Sequence, residues 1–242
     1  MSDAFSGFVD PHEHDHTHPD VSAGWLRPAV FGGMDGLVSN MALIAGIGAA
    51  GATPATVVLG GVAGLVAGAC SMAIGEYLSV RTQNEQIFSE MEVEKAAHDR
   101  NPVGEERELA GHLQQMGMSE KTALLAAQEI HQNPRSAAKL HITQELGLDP
   151  ESTAHPVIAA VSSFVTFSVG AAIPLLPYVF GFESLALGLG TGALGLVLAG
   201  AISSRFTRRN AWWSALRQLS LGGVAVAVTY GVGLLFGIGI AP

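Results

Sequence analysis

The chain has 242 residues, a mean hydropathy of +0.35 and only 14% charged residues, whereas a soluble globular protein carries about 25%. Its net charge of −9 excludes nucleic acid as an expected partner, because nucleic-acid binding needs a basic surface. Uncharged runs of the ~20 residues that a membrane-spanning helix needs predict an all-α integral membrane protein, with the lipid bilayer as its first partner.

The chain begins with a polar tail, residues 1–24, that is rich in histidine and acidic residues. It lacks the basic start and the short apolar core of a cleaved signal peptide. Histidines alternate there with acidic and other polar residues, which predicts either a weak metal scavenger or a tail with no specific role. The histidines are His12, His14, His16 and His18.

Five apolar runs follow, and each is long enough for a transmembrane helix. We predict two helices within residues 25–80 and three within residues 156–242. Pro174 and Pro177 should end or kink the third helix. The individual spans are placed at roughly 27–50, 55–80, 157–179, 184–204 and 214–238.

Arginines predict the orientation in the membrane. The turns at 50–55 and 180–183 contain no basic residue, whereas the loop after the fourth span and the start of the fifth contain Arg205, Arg208, Arg209 and Arg217. Basic residues in short loops favour the cytoplasmic side, so the tail and the 81–155 segment are also predicted to be cytoplasmic. The predicted location is a bacterial inner membrane, which the chain crosses several times.

Small residues recur on the second span, where Gly60, Gly64 and Gly68 form one stripe. Such a stripe lets helices approach closely, either within the chain or at the seam of a dimer. The single cysteine, Cys70, is expected to be a small buried side chain.

Two acidic residues bracket the first two spans, since Asp35 and Glu76 enclose residues 36–75, which carry no charge. An acid in a bilayer costs about 2.5–3.5 kcal/mol on insertion scales and usually faces a cavity or a partner. Met72 and Glu76 share one helix face, and a thioether with carboxylates suits a borderline cation such as Fe²⁺. We predict a pore site of Asp35, Met72 and Glu76. The alternatives are that Asp35 caps a helix, that Met72 fills the core, and that Glu76 snorkels to the interface or has a structural role.

Residues 81–155, here called the insert, are predicted to form a small domain of helices. The first continues the second span into water, the next ends at Gly117, a third is capped by Ser119, and the last ends near Gly147.

Acidic residues and histidines in the insert repeat at a spacing of four, which places them on one helix face. A solvated acidic helix gives some such pairs by chance, but repeated carboxylates without cations would repel one another. We therefore predict that the insert binds metal. The candidate ligands are Glu90, Glu94, His98, Glu105, Glu108, His112, His141 and Glu145.

Four motifs, "MDGLVSNMALIAG", "AGACSMAIGEYLSVRTQNE", "HITQELGL" and "LRQLSLGGVAVAVTYGVGLLFG", resemble the vacuolar iron transporter family over nearly all of residues 25–240. The resemblance implies a homodimer of five-helix protomers, with a pore at the dimer interface in which Fe²⁺ is exchanged for protons. It implies that Asp35 and Met72 contact the metal, and that the insert is a metal-binding domain. The family ligand positions there match Glu94, Glu105, Glu108 and Glu145.

The sequence departs from the family at three positions of the pore and the insert. Gly64 stands where plant members have a glutamate, Ala97 stands at a carboxylate position, and His141 stands where some members have methionine. We therefore expect the proton pathway, and the number or identity of the bound ions, to differ from those of the family members that carry the other residues.

The leading hypothesis is a proton-coupled exporter of cytosolic Fe²⁺, with Mn²⁺, Zn²⁺ and Co²⁺ as further candidate ions. It is not an enzyme and needs no catalytic cofactor. One alternative is a metal sensor or buffer whose spans only anchor the insert. A membrane di-iron enzyme is less favoured, because that class uses Glu-x-x-His pairs and the pairs of the insert are spaced by four.

Overall fold

The structure is a computed structural model that describes residues 24–147, 153–207 and 209–240, with only the backbone described at 145–146, 206–207 and 238–240. The described residues form helices joined by short turns, which confirms the all-α prediction. The helices are α1 (Leu26–Ala49), α2 (Pro54–Arg100), α3 (Pro102–Gln115), α4 (Glu120–His131), α5 (Pro134–Leu146), α6 (Pro156–Ala172), α7 (Leu176–Val179), α8 (Leu185–Thr207) and α9 (Ala211–Ile240).

Five helical segments within the described ranges are long and apolar enough to cross a membrane, as predicted: Leu26–Ala49, Pro54–Arg100, Pro156–Val179, Leu185–Arg205 and Ala211–Gly237. The third contains a 3-10 turn at Ile173–Leu175 between α6 and α7. Pro174 lies in this turn and Pro177 in α7, and each lacks the backbone N–H that would continue the α-helical pattern. The last begins before residue 214, because the Asn210 side chain accepts a hydrogen bond from the Trp212 N–H at 2.9 Å and caps it.

Helix α1 lies at the centre of the membrane part and packs against α2, α6, α8 and α9. Glycines allow the closest of these contacts. A Cβ atom at Gly36 would meet the carbonyl of Phe167, and one at Gly170 would meet the carbonyl of Gly33. The backbones of α1 and α6 therefore touch, as small residues permit in membrane helices.

The stripe of glycines on α2 packs within the chain. Added Cβ atoms would meet Ile47 from Gly60, Leu43 from Gly64 and Phe167 from Gly68. These contacts favour the intrachain alternative for the stripe. The expectation for Cys70 was wrong, because its side chain is exposed. Most of the apolar part of α2 is not buried by the residues that the structure describes.

Helix α2 continues from the membrane part into the insert, where α3, α4 and α5 fold back against it and one another. The predicted helix ends within the insert are confirmed. Gly117 and Gly147 have φ values of 103° and 64° at the ends of their helices, a backbone conformation that favours glycine. The Ser119 hydroxyl accepts a hydrogen bond from the Thr122 N–H and caps α4. The insert core consists of Leu109, Ala110, Leu113, Ala123 and Ala127.

Candidate metal sites in the membrane part and in the insert

A cleft of about 360 Å³ lies between α1, α2 and α6. It brings together two of the three predicted pore residues, Asp35 and Met72, from different helices. Its polar lining residues distinguish it from the mostly apolar groove between α1, α6 and α8. The cleft is lined by Asp35, Ser39, Asn40, Leu43, Gly64, Gly68, Ser71, Met72 and Phe167.

The Asp35 side chain is half-buried. Among the residues that the structure describes, none donates a hydrogen bond to its carboxylate or forms an ion pair with it. Met72 is also half-buried and packs against a cluster that includes Phe167. Glu76 lies one turn further along α2 and does not line the cleft. The cleft therefore presents the Asp35 carboxylate and the Met72 thioether, whereas Glu76 lies one turn away from Met72 on α2.

Asn40 is a further candidate ligand of the cleft, although the predicted pore set omitted it. It is only 2% exposed, and its Nδ2 donates a hydrogen bond of 2.5 Å to the carbonyl oxygen of Ala171. Its Oδ1 is buried and has no hydrogen-bond partner within the described ranges. Buried polar atoms are almost always paired, so this amide oxygen is suited to bind a cation or to accept a hydrogen bond from a bound molecule. The only signal in the sequence is an asparagine in the same uncharged run as Asp35.

A second group lies in the insert, where Glu94, Glu105 and His141 each offer one ligand atom and these atoms lie within 4.8 Å of one another. His141 Nδ1 lies 4.0 Å from Glu94 Oε2. The imidazole is buried, at 2% exposure, and both acids are half-buried. Two carboxylates and one imidazole are a ligand set that suits a borderline divalent cation.

Local structure explains how three helices supply this group. Asn101 separates α2 from α3, and its side chain accepts a hydrogen bond of 3.1 Å from the Gly104 N–H. This cap and the following Pro102 start a new helix at once, so that Glu105 in its first turn lies close to Glu94 near the end of α2. Helix α5 packs on α2 and supplies His141.

Of the other predicted ligands whose side chains the structure describes, none belongs to this three-residue group. Glu90 is half-buried one turn before Glu94, Glu108 is exposed, and His112 is half-buried with contacts of its own. His98 stacks on His131 instead. The side chain of Glu145 and the tail histidines His12, His14, His16 and His18 lie outside the described residues.

The spacing of four did not predict which residues converge, because the group takes one residue from each of three helices rather than pairs from one. His131, a buried residue beside the group, was also missed. It has no acidic residue four positions away, so the pattern that identified the other histidines does not include it.

Comparison with known proteins identifies the family. A model described as "VIT family" matches residues 26–234. The chain is 35% identical to "Vacuolar iron transporter" of Acanthamoeba castellanii over 88% of this chain and 79% of that protein. It is 34% identical to "Vacuolar iron transporter homolog 1" of Oryza sativa subsp. japonica, over 89% of this chain and 75% of that protein. The resemblance seen in the sequence is confirmed, and the chain belongs to the VIT family.

Proposed function

We propose that the chain transports Fe²⁺, and related divalent metals such as Mn²⁺, out of the cytosol in exchange for protons. The observation that carries this proposal is the shared cleft of Asp35 and Met72 in the membrane part of a VIT-family chain. The names of the relatives, which are iron transporters, support the choice of iron. Family membership also agrees with the prediction that the chain is a transporter and not an enzyme.

The ligand set of the cleft fits a cation of intermediate softness. The carboxylate of Asp35 supplies charge, the thioether of Met72 supplies a soft ligand, and the amide oxygen of Asn40 is unpaired among the described residues. Sites made of oxygen alone suit Mg²⁺ or Ca²⁺, whereas sulfur shifts the preference toward transition metals. Protons and metal compete for a carboxylate, so Asp35 and nearby Glu76 are the groups that we assign to proton exchange.

The exposed rim of the cleft supports a homodimer. Ser39 and Ser71 lie on this rim and are exposed on helices that cross the membrane. The Ser39 hydroxyl is satisfied by the carbonyl of Asp35, but the Asp35 carboxylate beside it has no hydrogen-bond or ion-pair partner among the described residues, and a carboxylate open to lipid is costly. A second protomer that covers the cleft would remove this carboxylate from lipid and convert two clefts into one passage between α1 helices.

Helix α2 supports a direct link between the insert and the cleft. Met72 and Glu94 lie on this one continuous helix, separated by roughly 33 Å at 1.5 Å per residue. We assign collection of cytosolic metal to the insert and release across the membrane to the cleft. Arg205, Arg209 and Arg217 flank the turn between α8 and α9, and basic residues in short loops favour the cytoplasmic side, which supports a cytoplasmic insert.

The test is Fe²⁺ flux into proteoliposomes under an imposed pH gradient. The full-length protein should carry Fe²⁺ and move protons in the opposite direction. Asp35→Asn should remove the flux while the insert still binds metal, measured by equilibrium dialysis on the same preparation. Glu183→Gln is a matched control, because Glu183 is an exposed acid in the turn before α8, away from the cleft. Metal binding without flux in the parent protein would instead support the sensor or buffer alternative.

A further inference from the structure

Three histidines from three helices lie together in the interior of the insert. The ring of His131 on α4 is stacked on that of His98 on α2, with centroids 5.4 Å apart. It also meets the ring of His141 on α5 edge-on, with centroids 5.5 Å apart. His131 is 7% exposed and is therefore surrounded by protein. This cluster continues directly from the group of Glu94, Glu105 and His141.

Hydrogen bonding determines which nitrogen of His131 carries the proton. Nδ1 lies 2.8 Å from the carbonyl oxygen of Ala127, one turn earlier in α4. A carbonyl only accepts, so Nδ1 is the donor and Nε2 of the neutral ring holds a lone pair. Within the described residues this Nε2 is buried without a hydrogen-bond partner, and the same is true of His98 Nδ1.

This arrangement differs from that of a histidine held only by packing. Histidines that bind metal typically donate their other N–H to a backbone carbonyl or a carboxylate, which fixes the ring and exposes the lone pair to the ion. His131 makes that bond to Ala127. Two buried ring nitrogens without hydrogen bonds, on side chains in contact with each other, are rare unless a bound ligand pairs with them.

We propose that His98 and His131 form a second, imidazole-rich metal site beside the carboxylate group of the insert. Its ligand is a divalent cation that prefers nitrogen, of the class of Zn²⁺ and Co²⁺, since imidazole suits such ions and carboxylates suit harder ones. Water fills the remaining positions on the ion. This inference rests on the proposed metal-binding role of the insert and gives it two chemically different sites.

The test counts bound Zn²⁺ and its imidazole ligands. The starting protein is the full chain with His12, His14, His16 and His18 each changed to Gln, so that the tail contributes no imidazole. Equilibrium dialysis measures Zn²⁺ per chain, and X-ray absorption at the zinc edge measures the number of imidazoles per ion.

His131→Gln and His98→Gln should each remove one Zn²⁺ per chain and lower the imidazole count. His155→Gln is the matched control, because His155 is exposed and lies before α6, outside the cluster; it should change neither. Unchanged Zn²⁺ stoichiometry and unchanged imidazole count in the two cluster variants would overturn the proposal.

A separate variant keeps the test decisive if the histidine variants do not fold. Glu94→Gln with Glu105→Gln weakens the carboxylate group and leaves all three histidines in place. One Zn²⁺ with at least two imidazoles should remain on this protein, and the loss of all Zn²⁺ would refute the second site. Fe²⁺ flux is measured in parallel, since failed transport with an intact imidazole site would refute the proposed function alone.

Discussion

Asn40 on α1 donates a hydrogen bond from Nδ2 to the carbonyl oxygen of Ala171 on α6, at 2.5 Å. This bond fixes the orientation of the Asn40 amide, and Asn40 lines the cleft of Asp35 and Met72. The amide oxygen at the other side of the group has no hydrogen-bond partner among the described residues. A packing contact between two membrane helices therefore also orients a candidate ligand.

Asn40→Asp should lower both stability and transport. The new carboxylate cannot donate to the Ala171 carbonyl, and a buried acceptor that loses its donor costs about 1–3 kcal/mol. We expect a lower Tm in detergent and reduced Fe²⁺ flux. Ser220→Ala is the control, because Ser220 lies outside the cleft and its exposed hydroxyl donates to the carbonyl of Leu216 one turn earlier. Equal Tm values for the two variants would show that the bond to Ala171 contributes little.

Gly64→Glu should strengthen metal binding in the cleft. A Cβ atom at this position would lie 3.4 Å from Asn40 Oδ1 and would displace only the flexible end of Leu43. The added carboxylate then shares the cleft with Asp35, and we expect the KM for Fe²⁺ flux to fall by about tenfold, equivalent to ~1.4 kcal/mol. Gly64→Ala displaces Leu43 without adding charge and should leave KM near that of the parent. A common effect of both variants would point to packing as its cause.

Glu94→Gln and Glu105→Gln should each weaken the binding of Fe²⁺ to the insert by at least about tenfold, or ~1.4 kcal/mol. Each change removes the charge of one ligand from the group with His141. The measurement is anaerobic titration calorimetry. Glu92→Gln is the control on the same helix, because Glu92 is exposed and outside the group. If all three variants bind alike, the insert holds metal only through its general negative charge.

A cysteine at position 39 should link two protomers. Ser39 lies on the exposed rim of the cleft, which the proposed homodimer covers. In a Cys70→Ser background, Ser39→Cys should give a disulfide-linked dimer on mild oxidation in membranes, seen by non-reducing electrophoresis. Val165→Cys is the control, at an exposed position of α6 outside the cleft. Efficient linkage at 165 but not at 39 would place the dimer interface elsewhere.

Much of the architecture could be predicted from local sequence alone. The five spans follow from uncharged apolar runs, because each run is driven into the bilayer by its own side chains. The helix ends in the insert follow from Gly117, Ser119 and Gly147, whose effects act within one turn. The grouping of Asp35 with Met72 was predicted from the acids that bracket the uncharged run and from the resemblance to the family, and the two side chains line one cleft.

Burial and ligand convergence needed the tertiary structure. Cys70 was expected inside the protein, but its side chain is exposed. Glu94, Glu105 and His141 meet because three helices pack, which a spacing along one helix does not encode. The sequence by itself determined which segments are helical and which cross the membrane, since those choices depend on neighbouring residues. The packing of the helices decided which polar atoms share a site, because that depends on contacts between residues far apart in the chain.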